Sequence, residues 1–149
     1  MPIIRKMNAN DKEKIIDMMR GFYASEAVLT NGSEEIFSAD VDECVSSSPY
    51  AEGYVIEDEG EIIGYSMVAK SYSTEFGRRC VWIEDLFIKE GHRGEGLGTK
   101  MIKHVESLYP GALIRLEAEA ENERAIRVYK KCGFEEMPYM ELKKFSGEK

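Results

Sequence analysis

The chain has 149 residues, which suits one domain of common size, so we expect a single domain over residues 1–149 without a separate substrate domain. Its composition, 43% hydrophobic and 32% charged, is that of a globular protein and excludes a disordered chain or an integral membrane protein. A formal net charge of -8 argues against nucleic-acid binding, because contacts with phosphates need a basic surface.

The charges are unevenly distributed along the chain. Residues 1–90 contain 9 Lys or Arg against 18 Asp or Glu, whereas residues 91–149 contain 11 against 10. This asymmetry would suit a C-terminal part that holds an anionic ligand and an N-terminal part that receives a cationic one. Ordinary surface charge explains the same distribution equally well, so both interpretations stay open.

The chain shows no targeting or metal-binding pattern. It lacks an apolar run of membrane-spanning length and begins without the regions of a secretory signal, so we expect a cytoplasmic protein with no membrane partner. Its three cysteines, Cys44, Cys80 and Cys132, are far apart and lack the spacing of metal ligands. Reduced thiols, no disulfide and no metal are therefore expected.

The N-terminal part predicts a strand and two helices. Residues 2–7 form an apolar, strand-like stretch, after which Asn10 or Asp11 can cap a helix. A second, shorter helix is expected between the turn residues at 30–33 and at 46–49.

The remainder predicts a hairpin followed by alternating strands and helices. Residues 50–57 and 62–69 flank Gly60 and predict the hairpin, and residues 81–88 predict a further strand. The later elements are a helix with apolar residues at positions 101, 102, 105 and 108, a strand at 113–118, a helix at 122–131 ended by Gly133, and a last strand at 137–142. This order predicts a mixed sheet flanked by helices.

A glycine-rich segment, GHRGEGLG at residues 91–98, joins a predicted strand to a predicted helix. Such a turn directs several backbone N–H groups toward one point, where the helix dipole also favours negative charge. Glycine removes the Cβ that would hold an anion away from the backbone, and it accepts positive φ. The segment therefore predicts a phosphate-binding loop.

The spacing of the glycines limits which phosphate compound binds. The order Gly98-Thr99-Lys100 does not match the P-loop, so a Walker nucleotide site is excluded. A dinucleotide fingerprint stays open, because Glu117 lies about 20 residues further on as that fold requires, but the glycine spacing is GxGxG. A loop that merely turns the chain is the other alternative.

Residues 93–98 are similar to the Arg/Gln-x-x-Gly-x-Gly/Ala signature of the GNAT superfamily of N-acetyltransferases, and a second motif of that superfamily is matched further on. The residues that carry the second motif are Asn122, Ala125, Tyr129, Gly133 and Phe134. The resemblance covers residues 50–140 and implies an α/β (α+β) fold. That fold is a mixed, mostly antiparallel sheet of about six to seven strands with about four flanking helices, splayed between the fourth and fifth strands.

A narrower resemblance concerns the strand at residues 81–88. Its Glu84-Asp85 pair looks like that of the polyamine and thialysine acetyltransferases. The resemblance implies transfer of an acetyl group from acetyl-CoA to the primary amine of a small cationic acceptor, by direct attack in a ternary complex. Acetylation of a protein N-terminus or lysine, and a non-catalytic acyl-CoA sensor, remain alternatives, and a homodimer is compatible with the superfamily.

The resemblance also implies which residues bind the cofactor. The backbone of Leu86, Phe87 and Ile88 would pair with the pantetheine arm, and the amide of Asn122 would bind the same arm besides capping its helix. The remaining cofactor-binding candidates are Arg93, Gly94, Glu95, Gly96, Leu97, Gly98, Thr99, Ala125 and Tyr129. For the remote phosphate, Lys100, Arg124, Lys130 and Lys131 are equal candidates.

Two residues are candidates for moving protons. Tyr129 lies seven residues after Asn122 on the same helix face, and the resemblance implies that it is the general acid, although it could be a core aromatic. Strand alternation places Glu84 and Asp85 on opposite faces of the sheet, so we expect only one of them to point into the site. Glu84 is the candidate, and it would accept the proton of the ammonium. Glu84, Asp85, Tyr23 and Glu26 are the candidate substrate-binding residues.

Overall fold

The computed structural model describes residues 1–30 and 32–148, in which helices pack on both faces of one sheet. The strands are β1 (Ile3–Lys6), β2 (Ala51–Asp58), β3 (Glu61–Ser73), β4 (Arg78–Ile88) and β5 (Leu113–Leu116). The helices are α1 (Lys12–Tyr23), α2 (Glu34–Val45), α3 (Leu97–Leu108) and α4 (Glu123–Lys131). Within the described residues no helix is both long and apolar enough to cross a bilayer.

The sheet has the order β1-β2-β3-β4-β5. The first four strands are antiparallel, whereas β5 runs parallel to β4 because α3 forms the crossover between them. Pairing of β5 with β4 covers only residues 80–83, opposite residues 113–116. Beyond Ile83 the strand β4 continues without β5, so the sheet opens between its fourth and fifth strands as expected.

Two turn features follow from particular residues. The β2–β3 hairpin closes through Glu59 and Gly60, which have φ values of 52° and 80°, as a two-residue turn of this kind requires. On β4, a β-bulge leaves Glu84 without a partner, because Ile83 pairs with Val68 and Asp85 with the adjacent Met67.

The core lies on both faces of the sheet. On one face, α1 and α2 contribute Ile15, Met19 and Val41 to a cluster that includes Tyr65 of β3. The other face packs against α3, whose buried residues are Leu97, Met101, Ile102 and Val105. The helices α1, α2 and α3 thus each bury one apolar stripe against the sheet, as their sequence periodicity predicts, whereas α4 has no buried residue.

The fold class is confirmed, whereas one local prediction is wrong and another is confirmed only for the position of the cap. Asp11 is the N-cap residue of α1, but its side chain makes no capping hydrogen bond to that helix. The first helical segment is capped by Asn8, whose side chain accepts from the Asn10 N–H, while the Asp11 carboxylate accepts from the Asn8 N–H. Residues 137–142 do not form the predicted last strand, so the described residues contain five strands rather than six to seven. Pro138 lacks an N–H, and the side chains of Met140 and Leu142 are exposed instead of packed.

Candidate active site

The opening between β4 and β5 is the centre of the candidate site. Glu84 lies at its base, directly after the last residue that pairs with β5. The bulge also changes which face the following side chains take. Leu86 and Ile88 pack with Val81 and Ile83 on the α3 side, whereas Phe87 packs on the α1–α2 side. The extra residue at the bulge therefore shifts the alternation of side chains for the rest of β4.

The glycine loop follows β4 and has the geometry that the sequence predicts. Gly94 and Gly96 have φ values of 85° and 78°, which β-branched or bulky residues rarely adopt. Gly96 is the N-cap of α3, so the first amides of that helix have no intrahelical acceptor. Because the loop is exposed around these amides, it forms a cradle in which an anion such as a pyrophosphate fits.

Side chains of the loop differ in their surroundings. Leu97 is buried against the core below α3, whereas Glu95 is exposed and lies 4.0 Å from the His92 ring nitrogen. Arg93 donates from Nε to the Ile88 carbonyl at 2.8 Å. Lys100, one of four candidates for the remote phosphate, donates to the Pro2 carbonyl at 2.6 Å.

Asp85 is the most deeply buried charged side chain of the site, with 3% of its surface exposed. Its carboxylate accepts from the Tyr65 hydroxyl at 2.8 Å and from the Tyr23 hydroxyl at 3.1 Å. Among the described residues no salt bridge reaches it. Burial raises the pKa of Asp85 to about 6, although the two tyrosine hydrogen bonds act in the opposite direction.

The burial of Asp85 should lower stability at neutral pH. A shift from the ordinary pKa of 3.8 to about 6 corresponds to roughly 3 kcal/mol. Between these values the native state binds more protons than the unfolded state, so the free energy of unfolding falls as pH rises and then stays low. Asp85→Asn should remove this fall and raise the free energy of unfolding at pH 7.5 by up to about 3 kcal/mol, measured by urea unfolding.

A matched control for this prediction is Asp11→Asn. Asp11 is also buried, but a hydrogen bond with Arg5 at 2.8 Å lowers its pKa against the effect of burial. Its removal should therefore destabilise the protein by about 1 to 3 kcal/mol at the same pH. If Asp85→Asn destabilised the protein as Asp11→Asn does, the unfavourable burial of Asp85 would be refuted.

A group of carboxylates surrounds the opening of the sheet. Glu84 is exposed on β4, Glu117 follows the last residue of β5, and Glu141 comes from the C-terminal segment. Although the Glu84 side chain reaches solvent, partial desolvation of its carboxyl group and the charge of Glu141 raise its pKa, while a hydrogen bond with Glu141 raises the pKa of Glu117. The opening is thus acidic, and a carboxylate there titrates closer to neutrality than usual.

The helix α4 approaches the same region from the other side. Asn122 caps it, because its Oδ1 accepts from the Ala125 N–H at 3.4 Å. Tyr129 packs against the α3-side core and lies edge-on to Phe134 at 6.1 Å, and burial raises its pKa. Cys132, one turn later, lies 3.8 Å from the Thr99 hydroxyl. The C-terminal end of α4 therefore lies against the first turn of α3.

Gly133 ends α4 with a φ of 98°, as the sequence predicts for a helix C-terminus.

Cys44, Cys80 and Cys132 are free thiols, of which the first two are buried. Cys132 is half-buried because it lies at the exposed end of α4.

A cleft of about 270 Å³ lies between the loop that follows α1 and the loop that joins β5 to α4. Its walls include Glu26, Leu29 and Asn122, together with Glu119 and Glu121. A larger cleft of about 440 Å³ lies under the other end of α3, between Tyr109 and β1. No predicted site residue lines the larger cleft, and its Glu52 is already paired with Lys70 at 2.7 Å, so the smaller cleft is the candidate acceptor site.

The structure brings most predicted site residues to one end of the sheet. On the α3 side the core brings together Leu86, Ile88, Leu97 and Tyr129. On the α1 side Phe87 packs against the core and Tyr23 meets Asp85. Glu84 is exposed between them, whereas Asp85 is the buried member of the pair. Tyr65, Glu117 and Glu141 were not predicted, because their proximity depends on strand pairing and not on a local motif.

Comparison with known proteins agrees with this geometry. The profile of the "Acetyltransferase (GNAT) family" matches residues 16–134. Spermine/spermidine N(1)-acetyltransferase of Bacillus subtilis strain 168 is 32% identical over 123 residues, which is 78% of this chain and 76% of that protein. Thialysine N-epsilon-acetyltransferase of Bos taurus is 37% identical over 79 residues, covering 51% of this chain and 46% of that protein.

The fold is also shared with solved structures. Aminoglycoside N-acetyltransferase AAC(6')-Iy in complex with CoA superposes with a TM-score of 0.81, over 99% of this chain and 96% of that one, at 18% identity. The match of the family profile covers well over half of the chain. The chain therefore belongs to the GNAT family of acetyltransferases and is an acetyl-CoA-dependent N-acetyltransferase.

Proposed function

We propose that the acceptor is the primary amine of a small cationic molecule. The observation that carries the proposal is the acidic cleft between the loop after α1 and the β5–α4 loop, whose walls include Glu26, Glu119 and Glu121. A protonated amine would be attracted to this cleft, whereas an anionic acceptor would be repelled. The names of the relatives from Bacillus subtilis and Bos taurus, which refer to spermine, spermidine and thialysine, support the same class of acceptor.

The residues on the cofactor side would bind and orient acetyl-CoA. The amides of residues 94–99 would hold the pyrophosphate, and the strand end at 86–88, together with Asn122, would bind the pantetheine arm. Arg93 in the glycine loop and Ala125 in the first turn of α4 would also contribute to binding acetyl-CoA. The cofactor supplies the acetyl group as a thioester.

The acceptor residues would remove a proton from the ammonium and hold the amine for direct attack in a ternary complex. Glu84 lies at the opening of the sheet, and its raised pKa brings its carboxylate closer to the range in which a general base works. Tyr23 and Asp85 form the wall next to it, through their hydrogen bond at 3.1 Å.

Tyr129 would act on the opposite side as general acid. A tyrosine hydroxyl has an ordinary pKa of about 10, and burial raises the pKa of Tyr129, so Oη carries at neutral pH the proton that the departing thiolate would receive. This role is supported by its packing against the α3-side core and by the contact of Cys132, one turn later on α4, with Thr99 in the first turn of α3.

The proposal is tested by the release of free thiol from acetyl-CoA in the presence of different amines. The panel contains polyamines, thialysine, aminoglycosides, neutral amino acids and a lysine-containing peptide. We expect the highest kcat/KM with a small polycationic amine, and Glu26→Gln should lower kcat/KM for that amine roughly two- to ten-fold through loss of one charge interaction. Preference for the peptide or for a neutral amine would contradict the proposal.

A further inference from the structure

Phe87 connects the cofactor side of the site to the acceptor side. Its backbone belongs to the strand end that leads into the glycine loop, and its side chain lies on the α1 face. The ring packs edge-on to Phe22 of α1, with centroids 6.3 Å apart, and 6.1 Å from the ring of Tyr65. Phe22 precedes Tyr23, and Tyr65 shares the carboxylate of Asp85 with Tyr23.

Gly21 shows how closely α1 approaches this ring. A Cβ at position 21 would lie 3.3 Å from Cζ of Phe87, which is tighter than ordinary van der Waals contact. Glycine costs about 1 kcal/mol of helix propensity relative to alanine, yet here it allows α1 to lie directly on Phe87. The position of the α1 C-terminus therefore depends on the position of this ring.

Arg93 fixes Phe87 from the other side. Its guanidinium carbon lies 5.3 Å from the centroid of the Phe87 ring, and its Nε donates to the carbonyl of Ile88, the next residue, at 2.8 Å. Both contacts need a planar group that stacks and donates at the same time, which arginine provides and lysine does not. In the described residues no salt bridge involves Arg93.

We propose that Arg93 is a positioning residue for the acceptor side, acting through Phe87 on the end of α1 that carries Tyr23. The contacts run from the Arg93 guanidinium to the Phe87 ring, and from that ring to Gly21 and Phe22. This inference rests on the proposed function, because it assumes that the amine binds next to Tyr23 and Asp85. A role limited to phosphate attraction would need only the positive charge.

Arg93→Lys separates these two roles, because it keeps the charge and loses the stacked, planar donor. We expect the KM of the amine to rise about three- to five-fold, the value of one cation–π contact, with the KM of acetyl-CoA changed less than about two-fold. Phe87→Leu should raise the amine KM at least as much. The double variant should be no worse than Phe87→Leu, since Arg93 acts through that ring. Arg79→Lys, at the exposed start of β4, is the control.

Amide hydrogen exchange gives a readout that does not depend on turnover. In α1 the amide of Ala24 donates to the carbonyls of Arg20 and Phe22, and its protection reports on the helix end. We expect Arg93→Lys to lower protection at residues 20–24 and Arg79→Lys to leave it unchanged. Altered protection without acetylation of any amine would sustain this inference and refute the proposed function. Unchanged protection, or additive effects in the double variant, would overturn the inference.

Discussion

Replacing Tyr129 with Phe should lower kcat by about a hundred-fold or more, because a positioned general acid contributes two or more orders of magnitude to such a reaction. The phenyl ring keeps the packing against Phe134 and the α3-side core, so the fold should be retained. Loss of the hydroxyl should leave the affinity for acetyl-CoA nearly unchanged. Turnover and calorimetric binding of acetyl-CoA, measured on the same preparation, separate the two effects.

A matched control is Tyr109→Phe. The Tyr109 hydroxyl also lies within hydrogen-bond distance of another side chain, at 3.3 Å from that of Tyr54, but it belongs to the cleft at the other end of α3. Its removal should change stability slightly and turnover very little. If Tyr129→Phe retained wild-type turnover, the hydroxyl would have no role in proton transfer, and Tyr129 would be a core aromatic.

Replacing Gly96 with Val should abolish measurable binding of acetyl-CoA. Gly96 has a φ of 78° at the N-cap of α3, a conformation that a β-branched residue can adopt only with strain. The loop would then change its path, and the amides of the first helical turn would no longer converge on the pyrophosphate. We expect the thermal shift produced by acetyl-CoA to disappear.

Gly111→Val controls for backbone strain alone. Gly111 has a φ of 82° in the turn between α3 and β5, and a Cβ there meets open space, as it does at Gly96. Both variants should lose stability by a similar amount, about 1 to 3 kcal/mol, but only Gly96→Val should lose the cofactor. Retained binding in Gly96→Val, or loss of binding in both, would refute the assignment of the loop.

The conformation of the glycine loop and the start of α4 could be predicted from the sequence because their determinants are local. A strand, a loop with glycines at positions 94, 96 and 98, and an amphipathic helix are neighbours in the chain. Positive φ at Gly94 and Gly96 and the cap of α4 by Asn122 depend on adjacent residues, so short-range rules were sufficient to predict them.

The acceptor side depends on contacts between distant segments. Asp85 meets Tyr23 across 62 positions and Tyr65 across 20, and the bulge at Glu84 is set by pairing with β3. Simple alternation along β4 therefore does not reveal that Asp85 is the buried carboxylate. Periodicity in a single sequence reports only on neighbouring positions, so contacts between residues this far apart cannot be predicted from it.

The error at residues 137–142 has a similar cause. The segment is rich in apolar and aromatic residues, which favours a strand, but a strand also needs a partner. Tyr139 instead donates to Glu75, in the β3–β4 turn, at 2.7 Å, and four hydrophobic side chains of the segment are exposed. Pattern alone could not distinguish this path from a paired strand.

The most direct test of the central claim uses acetyl-CoA labelled in its acetyl group. The enzyme is incubated with one polyamine at a time, and the label is located by mass spectrometry while free thiol is measured in parallel. We predict label on a primary amine nitrogen in equal amount to the thiol released, and loss of both in Gly96→Val. Binding of acetyl-CoA without label on any amine would contradict the account and indicate a protein that senses the cofactor without using it.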